Sequence, residues 1–232
     1  MYNGPVYSPS QTERFIRCPA LWDYSRRWEQ GDRGWLAQLI GKSIHYGAMT
    51  FYKGLQFPVN SLDPVAQALD FLVKGWPEDG GGVEDTIESA ALLVKKGLAK
   101  ALSINFLPHD EDTMLAVEHP MSIGACFSAL VIRHATPSPW IEIIDWKYGH
   151  SVSDWLIQKR LDEAQTSWQL KHYGWRVGTL YPDIPVKQAT MVLLVGTPRC
   201  VVKTAKVEIS EESTALWFTS AQSYWEAIQA WF

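Results

Sequence analysis

The chain has 232 residues, of which 47% are hydrophobic and 20% are charged, and its formal net charge is -4. This length and hydrophobic content fit a single folded domain. The acidic balance excludes a protein that holds nucleic acid by bulk positive charge, because such binding needs many Lys and Arg side chains. It does not exclude a metal site, where a bound cation offsets acidic ligands. No apolar run approaches the roughly 20 residues of a membrane helix, so we expect no membrane contact.

The cysteines and the N-terminal residues indicate the compartment. Cys18, Cys126 and Cys200 are odd in number and widely spaced, which favours reduced thiols over a disulfide framework or a CxxC metal site. Residues 1–10 contain no basic segment followed by an apolar one, as a secretory signal would. We therefore expect a cytoplasmic protein, in the host cytoplasm if the source is a virus.

Four helices are predicted before the first strand. The first begins at a capping box formed by Ser10 and Glu13 and is interrupted at Cys18-Pro19. The others are predicted at about 35–52, 63–74 and 84–103, with a glycine-rich loop at 77–82. The Gly41-Lys42-Ser43 tripeptide is not a phosphate-binding loop, because that motif needs a glycine five residues earlier. We interpret residues 56–104 as a helical insertion within one domain that spans residues 1–232.

Strands dominate the second half of the chain. Three strand-like runs at 113–121, 125–134 and 140–147 are joined by short turns, which predicts an antiparallel meander. One long helix, from about residue 154 or 159 to 178, then leads to two further strands at 188–195 and 200–209. A last helix begins near residue 210. This order predicts an α/β/α layer arrangement with a mixed sheet.

The third strand ends in an acid and a lysine two residues apart, Asp145 and Lys147. Strand side chains alternate between faces, so both emerge on the same side of the sheet. A carboxylate and an ammonium in that arrangement can hold a divalent metal and orient a water beside a phosphate. The alternative is a strand that leaves the core and becomes polar before Gly149.

Three other features carry candidate functional side chains. His45 lies within the second predicted helix, where a histidine is more often a core or surface residue than a metal ligand. Gln169 and Tyr173 are one helical turn apart. The last helix carries an aromatic stripe that predicts either core packing or an exposed stacking and docking surface; its members are Trp217, Ala221, Tyr224, Trp225, Ile228 and Trp231.

Several short motifs in one order resemble the PD-(D/E)XK nuclease superfamily, specifically the RecB-like branch of recombination exonucleases and CRISPR-adaptation nucleases. The matching segments are residues 8–10 and 18–22, Gly41-Lys42-Ser43-Ile44-His45, Val117-Glu118, Ile143-Ile144-Asp145-Trp146-Lys147, and Gln169 to Tyr173. The resemblance implies a three-layer, restriction-endonuclease-like αβββαβ core with a mixed sheet and an N-terminal helical insertion.

The resemblance also implies roles for individual residues. His45, Glu118 and Asp145 would bind Mg²⁺ or Mn²⁺. Lys147 would position the attacking water, and Gln169 and Tyr173 would contact the substrate or steady the metal site. The implied partner is DNA, with linear or single-stranded ends. The implied setting is recombination or repair in a cell, a phage or a mobile element.

The sequence departs from the family pattern in two places. The family carries its first acid in a G-x-[ILV]-D stretch on the second strand, and here Ala129 stands for the glycine and Ile132 for the aspartate. Loss of a carboxylate would weaken Mg²⁺ binding severely. In addition, Cys18 matches only the first cysteine of the iron–sulfur set that some relatives use, so we expect no cluster.

Three functions remain open from the sequence. The first is an active metal-dependent DNA nuclease that acts as an exonuclease or on DNA ends. The second is a catalytically inactive nuclease-fold protein that binds DNA or a protein partner. The third is a subunit whose C-terminal helix docks on a protein partner through exposed Trp217, Trp225 and Trp231.

Overall fold

A computed structural model gives the architecture of the protein over most of the chain. It describes residues 9–20, 22–23, 35–58, 62–77, 86–107, 109–120, 126–149, 153–196 and 200–230. Within these ranges the side chains of residues 9–11, 14, 35, 118–120 and 126–129 are not described.

Seven helices and five strands in the described part of the chain position the candidate site. Four helices precede the sheet: α1 Pro9–Arg17, α2 Trp35–Gln56, α3 Pro64–Gly75 and α4 Ile87–Leu102. The strands are β1 Thr113–Pro120, β2 Cys126–His134, β3 Trp140–Gly149, β4 Val186–Val195 and β5 Val201–Glu208. Helices α5 Asp154–Gln165 and α6 Trp168–Leu180 connect β3 to β4, and α7 Glu211–Ala230 follows β5.

The five strands form one mixed sheet in the order β1-β2-β3-β4-β5. The pairs β1–β2, β2–β3 and β4–β5 are antiparallel, whereas β3 and β4 are parallel because α5 and α6 cross over between them. The predicted meander and the mixed sheet between helices are confirmed, and the architecture is consistent with a restriction-endonuclease-like fold.

Each face of the sheet is covered by a different hydrophobic core. Ile132, Ile144 and Trp146 face helices α2, α3 and α4, where they meet side chains such as Ile44 and Leu98. On the opposite face, residues of α5 and α6 cover a second set of strand side chains; this set includes Val131, Ile141, Ile143, Ala189 and Met191. The alternation of strand residues therefore separates residues of β3 that are adjacent in sequence into two environments.

The crossover between β3 and β4 corrects one prediction. The sequence predicted a single helix to residue 178, but the structure has two, separated at Thr166 and Ser167. The hydroxyl of Ser167 accepts a hydrogen bond from the backbone N–H of Leu170 and caps α6. Serine at an N-cap satisfies an amide that the helix leaves unpaired, which favours a new start over continuation. The break at Cys18-Pro19 was predicted correctly, since α1 ends at Arg17.

The aromatic stripe of α7 packs in the core. Trp217 and Trp225 are buried against Phe15 and Trp22, and Trp225 Nε1 donates a hydrogen bond to Thr12 Oγ1 of α1 at 3.1 Å. The predicted docking surface is therefore wrong for these two tryptophans, because hydrophobic burial against the N-terminal helix already covers them. Trp231 lies outside the described residues.

Two further features bear on expectations from the sequence. None of the helices in the described ranges is long and apolar enough to cross a membrane.

Cys18 and Cys200 are thiols rather than disulfide half-cystines, and both are partly buried. Burial raises the pKa of the Cys200 thiol, against the smaller opposing effect of Lys100 and Lys96.

Candidate active site

The candidate site lies beyond the point where the pairing between β2 and β3 ends. Their pairing reaches Leu130 and Ile144, whereas β3 pairs with β4 as far as Gly149 and Val195. The last five residues of β3 therefore have β4 as their described neighbour. Polar side chains that leave the strand here can face a cleft rather than the middle of the sheet.

A chain of contacts joins the end of β3 to the first turns of α6. Lys147 Nζ lies 3.0 Å from Asp145 Oδ2 and donates a hydrogen bond of 2.5 Å to Gln169 Oε1. Gln169 Nε2 in turn donates to Tyr173 Oη at 2.6 Å. Four side chains that the sequence assigned to catalysis are thus brought together, and the amine of Lys147 is their meeting point.

Local structure explains why these four side chains meet. Asp145 and Lys147 share a face because they are two residues apart on a strand. Gln169 and Tyr173 share a face because they are four residues apart on α6, which begins one residue after its cap at Ser167. The side chain of Lys147 is 40% exposed, so its amine is accessible from solvent while Asp145 and Gln169 hold it.

Asp145 has the properties of a ligand for a hard cation. Its side chain is 2% exposed, and among the described residues Oδ2 accepts no hydrogen bond, although Lys147 Nζ lies at ion-pair distance. A buried carboxylate oxygen without a hydrogen-bond donor is costly. An oxygen-seeking ion such as Mg²⁺ would satisfy that oxygen, so the carboxylate fits the implied metal.

The other two expected metal ligands are His45 and Glu118. His45 packs edge-on against the ring of Trp146, with the ring centroids 5.6 Å apart, and Trp146 belongs to the core on the face opposite Asp145. Glu118 lies in β1, but its side chain is outside the described set. Among described residues no group of three His, Cys, Asp or Glu side chains is gathered for a metal. Both assignments stay predictions.

The structure corrects the position of the missing acid. Ile132 is fully buried and pairs with Glu142 on the face that α2 to α4 cover, so an aspartate there would point away from Asp145. Val131 pairs with Ile143 and shares the Asp145 face. The discrepancy arises because counting residues back from Asp145 ignores the pairing register, and a shift of one residue reverses the face.

Glu142 takes part in a buried polar cluster that the sequence did not predict. Its Oε2 lies 2.8 Å from His134 Nε2, and His134 Nδ1 lies 3.2 Å from Asp112 Oδ2. Gln188 Nε2 and Thr190 Oγ1 donate hydrogen bonds to Glu142 Oε1. The cluster ties the loop before β1 to β2, β3 and β4, and its bonds explain why Glu142 is not available to the site. One sequence signal for the His134–Glu142 contact was that strand alternation places both residues on the same face of the β2–β3 hairpin.

The fold and the position of the acid–lysine pair define a restriction-endonuclease-like protein whose candidate site lies at the end of the third strand. A family model of the PD-(D/E)XK nuclease superfamily matches residues 6–232, so the chain belongs to that superfamily. Among curated proteins, none matches this chain.

Proposed function

We propose that this protein is a divalent-metal-dependent nuclease that hydrolyses phosphodiester bonds in DNA. The observation that carries the proposal is the amine of Lys147, held between Asp145 and Gln169 at the end of β3. Membership of the nuclease superfamily supports the same chemistry. In this reaction the oxygen of a water molecule forms a bond to phosphorus, and one of the two ester P–O bonds that link the nucleotides breaks. The released sugar oxygen leaves as a hydroxyl group.

Asp145 would hold Mg²⁺ or Mn²⁺, with Glu118 as a further ligand. His45, the third ligand that the resemblance implies, would have to leave its contact with Trp146 to join them. When bound, such an ion polarises the phosphoryl oxygen and lowers the pKa of a coordinated water. The burial of Asp145 Oδ2, which accepts no hydrogen bond from the described residues and lies 3.0 Å from the Lys147 ammonium, supports this assignment. The side chain of Lys147 is partly exposed, so a substrate can reach the site from solvent.

Lys147 supplies the second requirement of the reaction. An ammonium carries three N–H donors, and Gln169 accepts one of them. The remaining donors orient the attacking water and stabilise the negative charge that develops on the phosphate. Gln169 and Tyr173 fix the direction of the amine. Gln169 accepts a hydrogen bond from Lys147 and donates one to the hydroxyl of Tyr173. A donor that is already oriented needs little reorganisation during the reaction.

We further propose that the enzyme is of the RecB-like type and acts at DNA ends. The Asp145-x-Lys147 pair, the Gln169-to-Tyr173 spacing and His45 on the preceding helix support this finer assignment. The hydrogen bond from Gln169 Nε2 to Tyr173 Oη, which this spacing allows, supports the assignment.

End-labelled linear DNA and covalently closed circular DNA test the proposal when each is incubated with Mg²⁺, Mn²⁺ or EDTA. We expect degradation of the linear substrate with either metal, none with EDTA, and resistance of the circle. Cleavage of the circle at the same rate would replace the end-dependent assignment with an endonuclease. Cleavage that persists in EDTA would contradict the metal dependence.

A catalytically inactive DNA-binding protein is the second candidate function, and one observation favours it. Among the described side chains of β2, the one nearest to Asp145 on its face is Val131, which is buried and apolar. A site with fewer carboxylates holds Mg²⁺ less firmly. Binding of linear DNA without cleavage in either metal would select this alternative.

A further inference from the structure

A cleft of about 540 Å³ opens beside Lys147 and Gln169. Its floor is formed by the ends of β3 and β4, and its walls come from α1, α5 and the start of α6. The assignments above use only the Lys147 edge of this space. The remaining walls carry two arginines, Arg17 and Arg160, and the indole of Trp168.

Arg160 of α5 lies directly against the end of β3. A Cβ atom at Gly149 would be 2.6 Å from Arg160 Nη1 and 3.5 Å from its Cζ. A side chain at residue 149 would therefore displace the guanidinium, and glycine allows it to approach the strand. Gly149 follows Lys147 by two residues, which corresponds to about 7 Å along a strand. That spacing is comparable to the separation of adjacent phosphates along a nucleic-acid strand.

Three cations thus reach one cleft from three separate elements: Arg17 from α1, Lys147 from β3 and Arg160 from α5. Glu13 and Glu163 also line it, so these five side chains leave one net positive charge. The described residues provide no carboxylate within ion-pair distance of Arg17 or Arg160. Both guanidiniums therefore remain available to an anionic ligand, and planar guanidiniums bind phosphate oxygens in a bidentate manner.

We propose that this cleft binds a single DNA strand, with Arg160 and Arg17 on the phosphates that flank the one at Lys147 and with Trp168 as an aromatic wall for a base. The proposal rests on the proposed nuclease function and names its substrate class. A cleft of this volume takes a ligand the size of one or two nucleotides. A duplex, whose major groove alone is about 12 Å wide, is too large for a volume of about 540 Å³. Aromatic walls and phosphate-binding cations are the usual means of holding single strands.

Fluorescence anisotropy with a labelled thymidine oligonucleotide of roughly 12 residues tests the proposal, in EDTA so that no metal-dependent cleavage occurs. We expect Arg160→Gln and Arg17→Gln each to weaken binding about five-fold at about 0.1 M salt. Each should also reduce the slope of log affinity against log salt by about 0.7. A blunt duplex of the same length should bind more weakly than the strand.

Matched variants separate a specific contact from a general loss of charge. Lys159 adjoins Arg160, but its amine lies over the Trp155 ring at 5.3 Å, so Lys159→Gln should bind as the natural protein does. Glu163→Gln removes a like-charged neighbour of the phosphate and should tighten binding. Gly149→Ala keeps the charge of Arg160 but displaces its guanidinium, and should weaken binding in the same way as Arg160→Gln.

Two results would overturn the proposal: unchanged strand affinity in both arginine variants, or duplex binding as tight as strand binding with the same dependence on Arg160. Failure of the nuclease function has a different signature. In that case DNA stays intact in Mg²⁺ and Mn²⁺ while strand binding still depends on the arginines. Circular dichroism spectra of the variants confirm that an altered affinity does not reflect unfolding.

Discussion

Lys147 of β3 donates a 2.5 Å hydrogen bond to Gln169 of α6, so a strand and a helix 22 residues apart in sequence jointly orient one amine. The Asp145 carboxylate lies 3.0 Å from the same amine. A lysine side chain has several rotatable bonds and loses much conformational freedom when it is held. Because Gln169 holds the amine in one direction, we expect its replacement to change the rate of the reaction in which Lys147 takes part.

Replacing Gln169 with Leu should lower the cleavage rate about 10- to 100-fold, because the amine of Lys147 loses the acceptor that directs it. Gln165→Leu is the control, since Gln165 is an exposed residue of α5 whose amide bonds to the backbone oxygen of Lys206. The measurement is the single-turnover rate at saturating DNA. Equal rates for the two variants would show that Gln169 does not position Lys147.

The two apolar residues of β2 near the site should respond differently to an acid. Val131→Asp places a carboxylate on the Asp145 face, whereas Ile132→Asp places one in the core beneath α2 to α4. Each buried charge should cost about 3–5 kcal/mol of stability in EDTA. Mn²⁺ should raise the melting temperature of Val131→Asp by more than that of Ile132→Asp or the natural protein, because an added ligand strengthens metal binding and binding stabilises the native state. An increase in Ile132→Asp as large as that in Val131→Asp, and larger than that of the natural protein, would contradict the register.

Asp112 should contribute stability that depends on pH. Burial raises the pKa of its carboxyl, but hydrogen bonds from the Ala135 backbone, the His134 ring and the His109 backbone outweigh burial and hold the pKa below 3.8. A lowered folded-state pKa contributes stability above the unfolded pKa, and that stability is lost as pH falls through the folded value. Urea unfolding from pH 6 to 3 should therefore show the natural protein and Asp112→Asn converging at the acidic end. A constant difference would exclude this linkage.

His172 should destabilise the fold in mild acid. It is fully buried beside Trp217, and burial, with a smaller effect of Arg176, lowers its pKa to about 4. Between pH 6.5 and about 4 the unfolded chain binds a proton that the folded protein does not bind. Stability therefore falls as pH falls through this range, by about 3 kcal/mol in total.

His172→Phe removes this titration and keeps an aromatic ring. Neither ring nitrogen of His172 has a hydrogen-bond partner among the described residues, so the substitution breaks no such bond. The unfolding free energy of the variant should fall less between pH 7 and 4.5 than that of the natural protein. Identical pH profiles would show that the pKa of His172 does not differ between the folded and unfolded states, which would contradict the prediction.

The sequence predicted the layer order, the antiparallel meander and the face shared by Asp145 and Lys147, because these follow from hydrophobic periodicity and strand alternation. It did not predict the break at Ser167, because Trp168 to Val177 continues the helical pattern and a single N-cap residue is a weak signal. Nor did it predict which face Ile132 occupies, since the pairing register depends on where the β2–β3 turn closes.

Other features depend on contacts between distant segments. The Asp112–His134–Glu142 cluster joins residues from a loop and two strands, and no local pattern specifies such a network. The approach of Arg160 to Gly149 likewise depends on how α5 sits over the sheet. The burial of Trp217 and Trp225 required α1 to pack against α7, whereas the stripe itself fitted either a core or an exposed surface.

The most direct test of the account is the rate of cleavage of end-labelled linear DNA in Mn²⁺ by the natural protein, Asp145→Asn, Lys147→Gln and the control Lys159→Gln. The account predicts cleavage by the natural protein and by Lys159→Gln, and a loss of about 100-fold or more in the other two. Retention of full activity by Asp145→Asn or Lys147→Gln would contradict the claim that this pair at the end of β3 forms the active site.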